Sequence, residues 1–189
     1  YDSEPLLLTS GMKKQNAKII ESYLRNGCGY DEIKRIFMNS MMLPVGKYAE
    51  SAFEIFIEDY DNIFEFSRNV LSAMKSEQHD LSFENERICI NGNSRLYSDG
   101  ESLNSVFFIF SGRSLFYETK AKVYHVMLSA IYDNVKTIIV YKDTKKEIPH
   151  MDKNAARIIM KELSSLYTDY LSDPFDMDID SAINAWTPE

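Results

Sequence analysis

Apolar residues in the first third of the chain recur at helical spacing. They repeat every three or four positions over residues 15–26 and again over 30–38, which predicts two amphipathic helices. A third helix is predicted over 44–60, because Pro44 suits the first turn of a helix. A fourth is predicted over 61–76. We therefore expect the chain to begin with a group of about four helices.

The pattern changes near residue 78, where shorter apolar runs and turn signals replace the helical spacing. Loose alternation over 81–90 predicts a strand, and Asn91-Gly92-Asn93 predicts a hairpin turn before a return strand at 95–97. Residues 106–110 are all apolar, which predicts a strand buried on both faces. This part of the chain is therefore predicted to form a sheet.

The last third combines one more turn with further strands and helices. A turn is predicted at 111–114, followed by a strand at 115–120 that pairs back onto the preceding one. Helical spacing then covers 123–131, and residues 135–141 predict another strand. Asp152 is expected to cap a long final helix.

This order of elements predicts an α+β fold. Its parts are an N-terminal helical region, a small mixed sheet with one crossing helix, and a long C-terminal helix. The helical region is expected to cover residues 1–77 and the α+β region 78–189. Together they are expected to form one compact domain.

Composition supports a globular protein and narrows its surroundings. The 189 residues are 44% hydrophobic and 26% charged, and no apolar run approaches the roughly 18 residues of a membrane span. Cys28 and Cys89 lack any metal or redox spacing, so free thiols in a cytoplasmic, reducing compartment are expected. Secretion by a leaderless route stays open as an alternative. Enrichment in Asn, Lys, Ile and Tyr is typical of an accessory gene with AT-rich composition.

Charge is distributed unevenly along the chain. The net charge of −8 argues against attraction to nucleic acid by the protein as a whole. Residues 12–50, however, contain seven basic and four acidic side chains, whereas 51–66 contain five acids and no base. The first helices therefore carry a local excess of positive charge.

The helices predicted at 30–38 and 44–60 follow each other in the order of a helix-turn-helix. In that motif the first turn of the second helix enters the major groove, and nearby cations contact phosphates. This favours a regulatory or adaptor protein that binds DNA. The candidate nucleic-acid-binding residues are Lys34, Arg35, Lys47, Tyr48 and Ser51.

A protein-interaction module, such as an effector, inhibitor or immunity-type protein, is the alternative. Acidic net charge, abundant aromatic residues and the lack of a specific catalytic motif favour it, and they favour binding over catalysis in general. The C-terminal stretch mixes acids with apolar residues, and such segments often bind a partner's groove. Phe175, Met177 and Trp186 are the candidate partner-binding residues. The sequence predicts no oligomeric state.

A second alternative rests on Asp99 and the triplet Glu118-Thr119-Lys120. Over residues 80–145, the order of elements and these side chains resembles the core of the PD-(D/E)xK nucleases. The resemblance implies that Asp99 and Glu118 hold Mg²⁺ while Lys120 polarises the attacking water. Outside this alternative, no cofactor or metal site is predicted. His125 lies on the helix predicted at 123–131 and is expected to be partly buried, with a packing or hydrogen-bonding role rather than a metal-binding one.

Overall fold

The computed structural model describes residues 10–40, 43, 46–110 and 115–172, which form six α-helices and five strands. The predicted α+β class is confirmed. The elements are α1 (Ser10–Arg25), α2 (Tyr30–Met38), α3 (Ala49–Glu58), α4 (Asp61–Asn69), β1 (Lys75–Glu84), β2 (Cys89–Ser98), β3 (Leu103–Ile109), α5 (Leu115–Ile131), β4 (Val135–Tyr141), β5 (Lys145–Ile148) and α6 (Lys153–Ser172). Short 3-10 helices lie at Gly46–Tyr48 and Leu71–Ala73.

The predicted hairpin turn at Asn91-Gly92-Asn93 is wrong, because these residues lie inside β2. The chain reverses earlier, between Asn85 and Ile88, where the Asn85 side-chain oxygen accepts the backbone N–H groups of Arg87 (2.9 Å) and Ile88 (3.0 Å). Such side-chain bonds to the backbone two and three residues later stabilise a turn locally. Gly92 does not have the positive φ that a tight Asn-Gly turn requires.

The predicted strand at 115–120 is also wrong, because these residues form the first turns of α5. Ala121, His125 and Leu128 are fully buried, and their spacing of four and three positions marks one helical face. The helix therefore starts well before residue 123.

The sequence also failed to predict β5, a four-residue strand at one end of the strand order whose first three residues are charged and exposed. The predicted turn at 111–114 lies outside the described residues.

The described residues divide into two compact units, and the first contains the helices α1 to α4. It is drawn from residues 1–75, 108–112 and 140–145. Its core includes aromatic rings that contact one another. Phe37 lies 5.6 Å from Phe53 between ring centroids, and Tyr30 lies 5.4 Å from Phe64 in an edge-to-face arrangement. Such ring pairs add to the free energy gained by burying the apolar surface.

The turn between β4 and β5 belongs to the first unit and is held by the start of α4. The side-chain amide of Asn62 donates to the carbonyl oxygens of Tyr141 (3.0 Å) and Thr144 (3.4 Å). Lys142 donates to the Asp59 carboxylate at 3.0 Å. The first unit therefore includes residues about 80 positions beyond its helices in sequence.

The second unit is drawn from residues 76–107, 113–139 and 146–189. The five strands have the order β1-β2-β3-β4-β5, and β2 pairs antiparallel with β3, with Tyr97 opposite Asn104. Helices α5 and α6 pack against each other. The core of this unit joins side chains of β1, β2, α5 and α6, including Leu81, Leu96, Leu128 and Met160. The predicted cap of α6 is confirmed, because Asp152 accepts the N–H groups of Asn154 and Ala155 at 2.9 Å.

Replacing Phe53 with alanine is expected to lower the free energy of unfolding by about 3–5 kcal/mol, because the ring is fully buried and its loss leaves a cavity. Phe116→Ala is the matched control, since its ring is 69% exposed, and its effect should stay within about 0.5 kcal/mol. Urea unfolding followed by far-UV circular dichroism measures both. Equal effects of the two substitutions would contradict the described core.

Candidate functional site

The structure places the predicted nucleic-acid-binding residues on and around two packed helices, α2 and α3. Residues 39–48 separate these helices, a longer connection than the 3–4 residues that usually join a helix-turn-helix. Helix α3 begins at Ala49 and not at Pro44, so Lys47 and Tyr48 lie in the preceding 3-10 helix. Ser51 lies in the first turn of α3 and is exposed.

The ammonium group of Lys34 is engaged by two carboxylates of α3. Its Nζ atom lies 2.8 Å from the Glu54 carboxylate and 2.9 Å from the Glu50 carboxylate. These hydrogen bonds, that to Glu54 first, raise the pKa of Lys34 above its ordinary value. Lys34 therefore joins α2 to α3, while its neighbour Arg35 is exposed in the last turn of α2.

The outward side of α3 is acidic and partly apolar. Glu50, Glu54 and Glu58 recur every four residues, and α3 contains no basic residue. Ile55 is 44% exposed, although isoleucine is usually buried. We define the α3 surface as the exposed residues Tyr48, Ser51, Glu54, Ile55 and Glu58.

Asp99 lies in the turn between β2 and β3, and its carboxylate is saturated by local donors. It accepts the backbone N–H groups of Ser102 (2.8 Å) and Glu101 (3.0 Å), the Ser102 hydroxyl (2.9 Å) and the Asn104 amide (3.1 Å). These bonds, that of the Ser102 backbone first, hold the pKa of Asp99 far below its ordinary value. The same hydrogen bonds also explain why the chain turns between β2 and β3 at Asp99.

Glu118 and Lys120 lie in α5, in place of the strand that the nuclease resemblance requires. Residues two positions apart are about 200° apart around a helix, so the two side chains do not face one site as they would in a strand. The Glu118 carboxylate lies 3.6 Å from the ammonium of Lys146. Across residues 10–40, 43, 46–110 and 115–172, no group of three His, Cys, Asp or Glu side chains is placed to bind a metal ion.

His125 is fully buried on α5, deeper than the partly buried position that the sequence predicted. Its Nδ1 atom lies 3.0 Å from the hydroxyl of Thr137 on β4. The Ser129 hydroxyl one turn later has no hydrogen-bond partner among the described residues. Burial, reinforced by the nearby His150, lowers the pKa of His125 to about 4, so the ring is neutral at neutral pH.

A groove of about 450 Å³ lies in the second unit, between the end of β1, the end of α5 and the first half of α6. Phe83, Ala130 and Ile131 form its apolar part, and Arg157 and Lys161 supply two cations. No sequence motif marks these residues, since they come from three separate segments. The i, i+4 spacing of Arg157 and Lys161 is the one feature of the groove that the sequence pattern contains.

The candidate partner-binding residues Phe175, Met177 and Trp186 lie outside the described residues. Cys28 is half-buried and Cys89 exposed, and neither forms a disulfide bond in the described part of the chain. None of the helices in the described part of the chain is both long and apolar enough to span a bilayer.

The sequence matches no protein-family model and no curated protein.

The free energy of unfolding is expected to fall as the pH is lowered from about 6.5 to about 4, because His125 has an ordinary pKa of 6.5 unfolded and about 4 folded. The unfolded chain binds the proton first in this interval, so acid favours unfolding, by on the order of 3 kcal/mol. His125→Gln, which does not titrate, should lose this part of the slope. Urea titrations at a series of pH values measure it, and identical pH dependence in both proteins would refute the assignment.

Proposed function

We propose that this protein is a non-catalytic regulatory or adaptor protein that acts by binding another protein through the α3 surface. The observation that carries the proposal is the pairing of Lys34 with Glu50 and Glu54. That pairing commits the central cation of the predicted DNA-binding region to contacts within the protein. The partner is expected to offer a basic surface with an apolar depression.

Electrostatics favours a protein partner over DNA at this surface. On the α3 surface and directly beside it, Glu50, Glu54 and Glu58 contribute three negative charges and Lys34 one positive charge, which leaves −2 for these four residues. Duplex DNA carries about one negative charge per 1.7 Å of helix axis, so it would be repelled. A basic protein surface would be attracted and oriented by the same charges.

The apolar part of the α3 surface supports a contact that excludes water. Ile55 lies one turn beyond Ser51 and one turn before Asp59, so it is surrounded by polar positions. Apolar side chains at the centre of a polar rim are the usual arrangement of protein interfaces, and aromatic residues such as Tyr48 are enriched there. The geometry thus fits a small, specific contact.

Site-specific crosslinking tests the proposed partner. A photoreactive residue in place of Ile55, in the full chain expressed in its native cells, is expected to trap one defined protein. The matched control places the same residue at Ile158 on α6, which is more exposed at 62% than Ile55 at 44%. Equal capture at the two positions would show that exposure alone causes the reaction, and would contradict the proposal.

The captured partner then allows affinity to be measured. Ile55→Ser is expected to weaken binding tenfold or more, because a buried isoleucine contributes roughly 1.5–3 kcal/mol. Ile158→Ser should leave the affinity unchanged. Titration calorimetry with the purified partner gives both values.

The DNA prediction is tested separately by fluorescence anisotropy with duplex DNA at low and at near-physiological salt. We expect no binding at either salt concentration. Binding that is present at low salt and weakens as salt rises would favour DNA as the partner and would contradict the proposal.

A further inference from the structure

The strand β1 has one backbone edge that faces away from the sheet. Among the described strands, β1 stands at one end of the order, so none of the others pairs with this edge. The connection at residues 85–88 is too short for a parallel crossover, so β1 and β2 are antiparallel. In such a pair, alternate residues point both backbone groups toward the neighbouring strand, and the residues between them point both groups away.

Hydrogen bonds identify the residues that form the outward edge. The N–H group of Asn85 donates at 3.0 Å to a backbone carbonyl oxygen across the turn to β2. The carbonyl oxygen of Asp80 instead accepts the hydroxyl of Tyr132, which directly follows α5, at 2.9 Å. Ser82 and Glu84 lie two and four positions after Asp80, so they share its outward orientation. Tyr132 covers the edge at Asp80, and the edge beyond it begins at Ser82.

This part of the edge borders the groove of about 450 Å³. Ser82 and Glu84 both line the groove. Their exposed side chains alternate with the buried Leu81 and Phe83, which belong to the core that β1 shares with α5 and α6. Because successive side chains of a strand point to opposite faces, those of Ser82 and Glu84 lie on the face away from these helices. Their backbone groups therefore border the groove.

The side chains along the rest of the groove are apolar or cationic. They are Phe83, Ala130, Ile131, Arg157 and Lys161. The Nε atom of Arg157 donates to the Ala130 carbonyl oxygen at 3.2 Å, which uses one of the five guanidinium donors and holds the group beside the groove. The Lys161 ammonium lies 4.0 Å from the Glu86 carboxylate, and such an exposed pair is weak.

We propose that the second unit binds an extended segment of a partner protein, which adds to the outward edge of β1 as a further strand. The backbone groups of Ser82 and Glu84 bond to the backbone of the segment, as an exposed sheet edge does in other peptide-binding domains. On the groove side, the segment has an apolar residue and an acidic residue two positions apart, about 6.7 Å along the chain. The apolar residue contacts Ile131, and the carboxylate pairs with Arg157 and Lys161.

Charge selects an acidic residue in the partner segment. Arg157 and Lys161 contribute two positive charges and the nearby Glu86 one negative charge, which leaves +1 for these three residues. The strand edge selects an extended chain, because its N–H and C=O groups recur at the spacing of a neighbouring strand, which a helix or a free anion does not offer.

A second copy of β1 does not offer the required pattern. On the side of β1 that faces the helices, no acidic residue lies two positions from an apolar one. The residues on that side are Glu77, His79, Leu81 and Phe83. A different protein is therefore the expected partner. This inference does not rest on the proposed function of the α3 surface, which lies in the first unit.

Hydrogen exchange followed by NMR tests strand addition directly. The probe is the octapeptide Thr-Ile-Lys-Glu-Thr-Ile-Lys-Glu, capped at both ends and added in large excess to the full chain. The N–H groups of Ser82 and Glu84 are expected to exchange at least about tenfold more slowly, because they become donors to the added strand. Those of Leu81 and Phe83 already point toward β2 and should change little. Unchanged exchange at Ser82 and Glu84 overturns the proposal.

A proline substitution tests the edge by affinity. Ser82→Pro removes an N–H group that β2 does not use, a position at which an edge strand tolerates proline. Anisotropy of the labelled probe is expected to show binding weakened at least about tenfold. The matched control, Gln78→Pro, makes the same change at an exposed outward position on the other side of Tyr132, and should bind like the unmodified chain. Equal affinities of the two folded variants would contradict the proposal.

A charge exchange tests the groove without altering the strand. Arg157→Glu/Lys161→Glu is expected to weaken binding of the probe at least about tenfold, and to bind instead a peptide with lysine in place of each glutamate. Lys120→Glu/Lys136→Glu reverses two exposed lysines elsewhere in the second unit and should change neither affinity. The proposal fails if both double reversals act alike. It also fails if protection of Ser82 and Glu84 rises with protein concentration without peptide, since a second copy is then the occupant.

Discussion

The burial of aromatic rings in the first unit is the interaction on which its helices depend. Helices α2, α3 and α4 have 9 or 10 residues each, shorter than the roughly 12 that an isolated helix needs in water. They persist because Phe37, Phe53, Phe56 and Phe64 lie fully buried among them. Since the buried apolar surface lies on the inward side, the outward side of α3 can carry acids and an exposed isoleucine.

The same local hydrogen-bonding pattern recurs at three places in the second unit. Asn85, Asp99 and Asp152 each accept the backbone N–H groups of the residues two and three positions later. The first two reverse the chain between neighbouring strands, and the third starts α6. Each satisfies backbone donors that would otherwise lack a partner where a regular element begins or ends. The carboxylate of Asp99 is thereby used for the fold.

The sequence predicted what depends on local spacing and failed where distant residues decide. The limits of α2 and β4 match the predicted ones, because their apolar periods are regular and uninterrupted. The Asn91-Gly92 signal failed because Asn85 forms the turn earlier, with bonds that a residue count does not reveal. The pairing of Lys34 with Glu50 and Glu54 spans 16 and 20 positions, and the groove joins three segments. Neither could be predicted before the elements were placed.

The hydrogen bonds from Asn62 to the β4–β5 turn have a consequence for folding during synthesis. The two carbonyl oxygens that this amide binds lie 79 and 82 positions downstream. During synthesis from the N-terminus, the four helices emerge well before those acceptors exist. The four helices therefore lack these two hydrogen bonds until most of the remaining chain has left the ribosome. A fragment that ends at Lys75 would contain every helix of this unit and still lack its final closure.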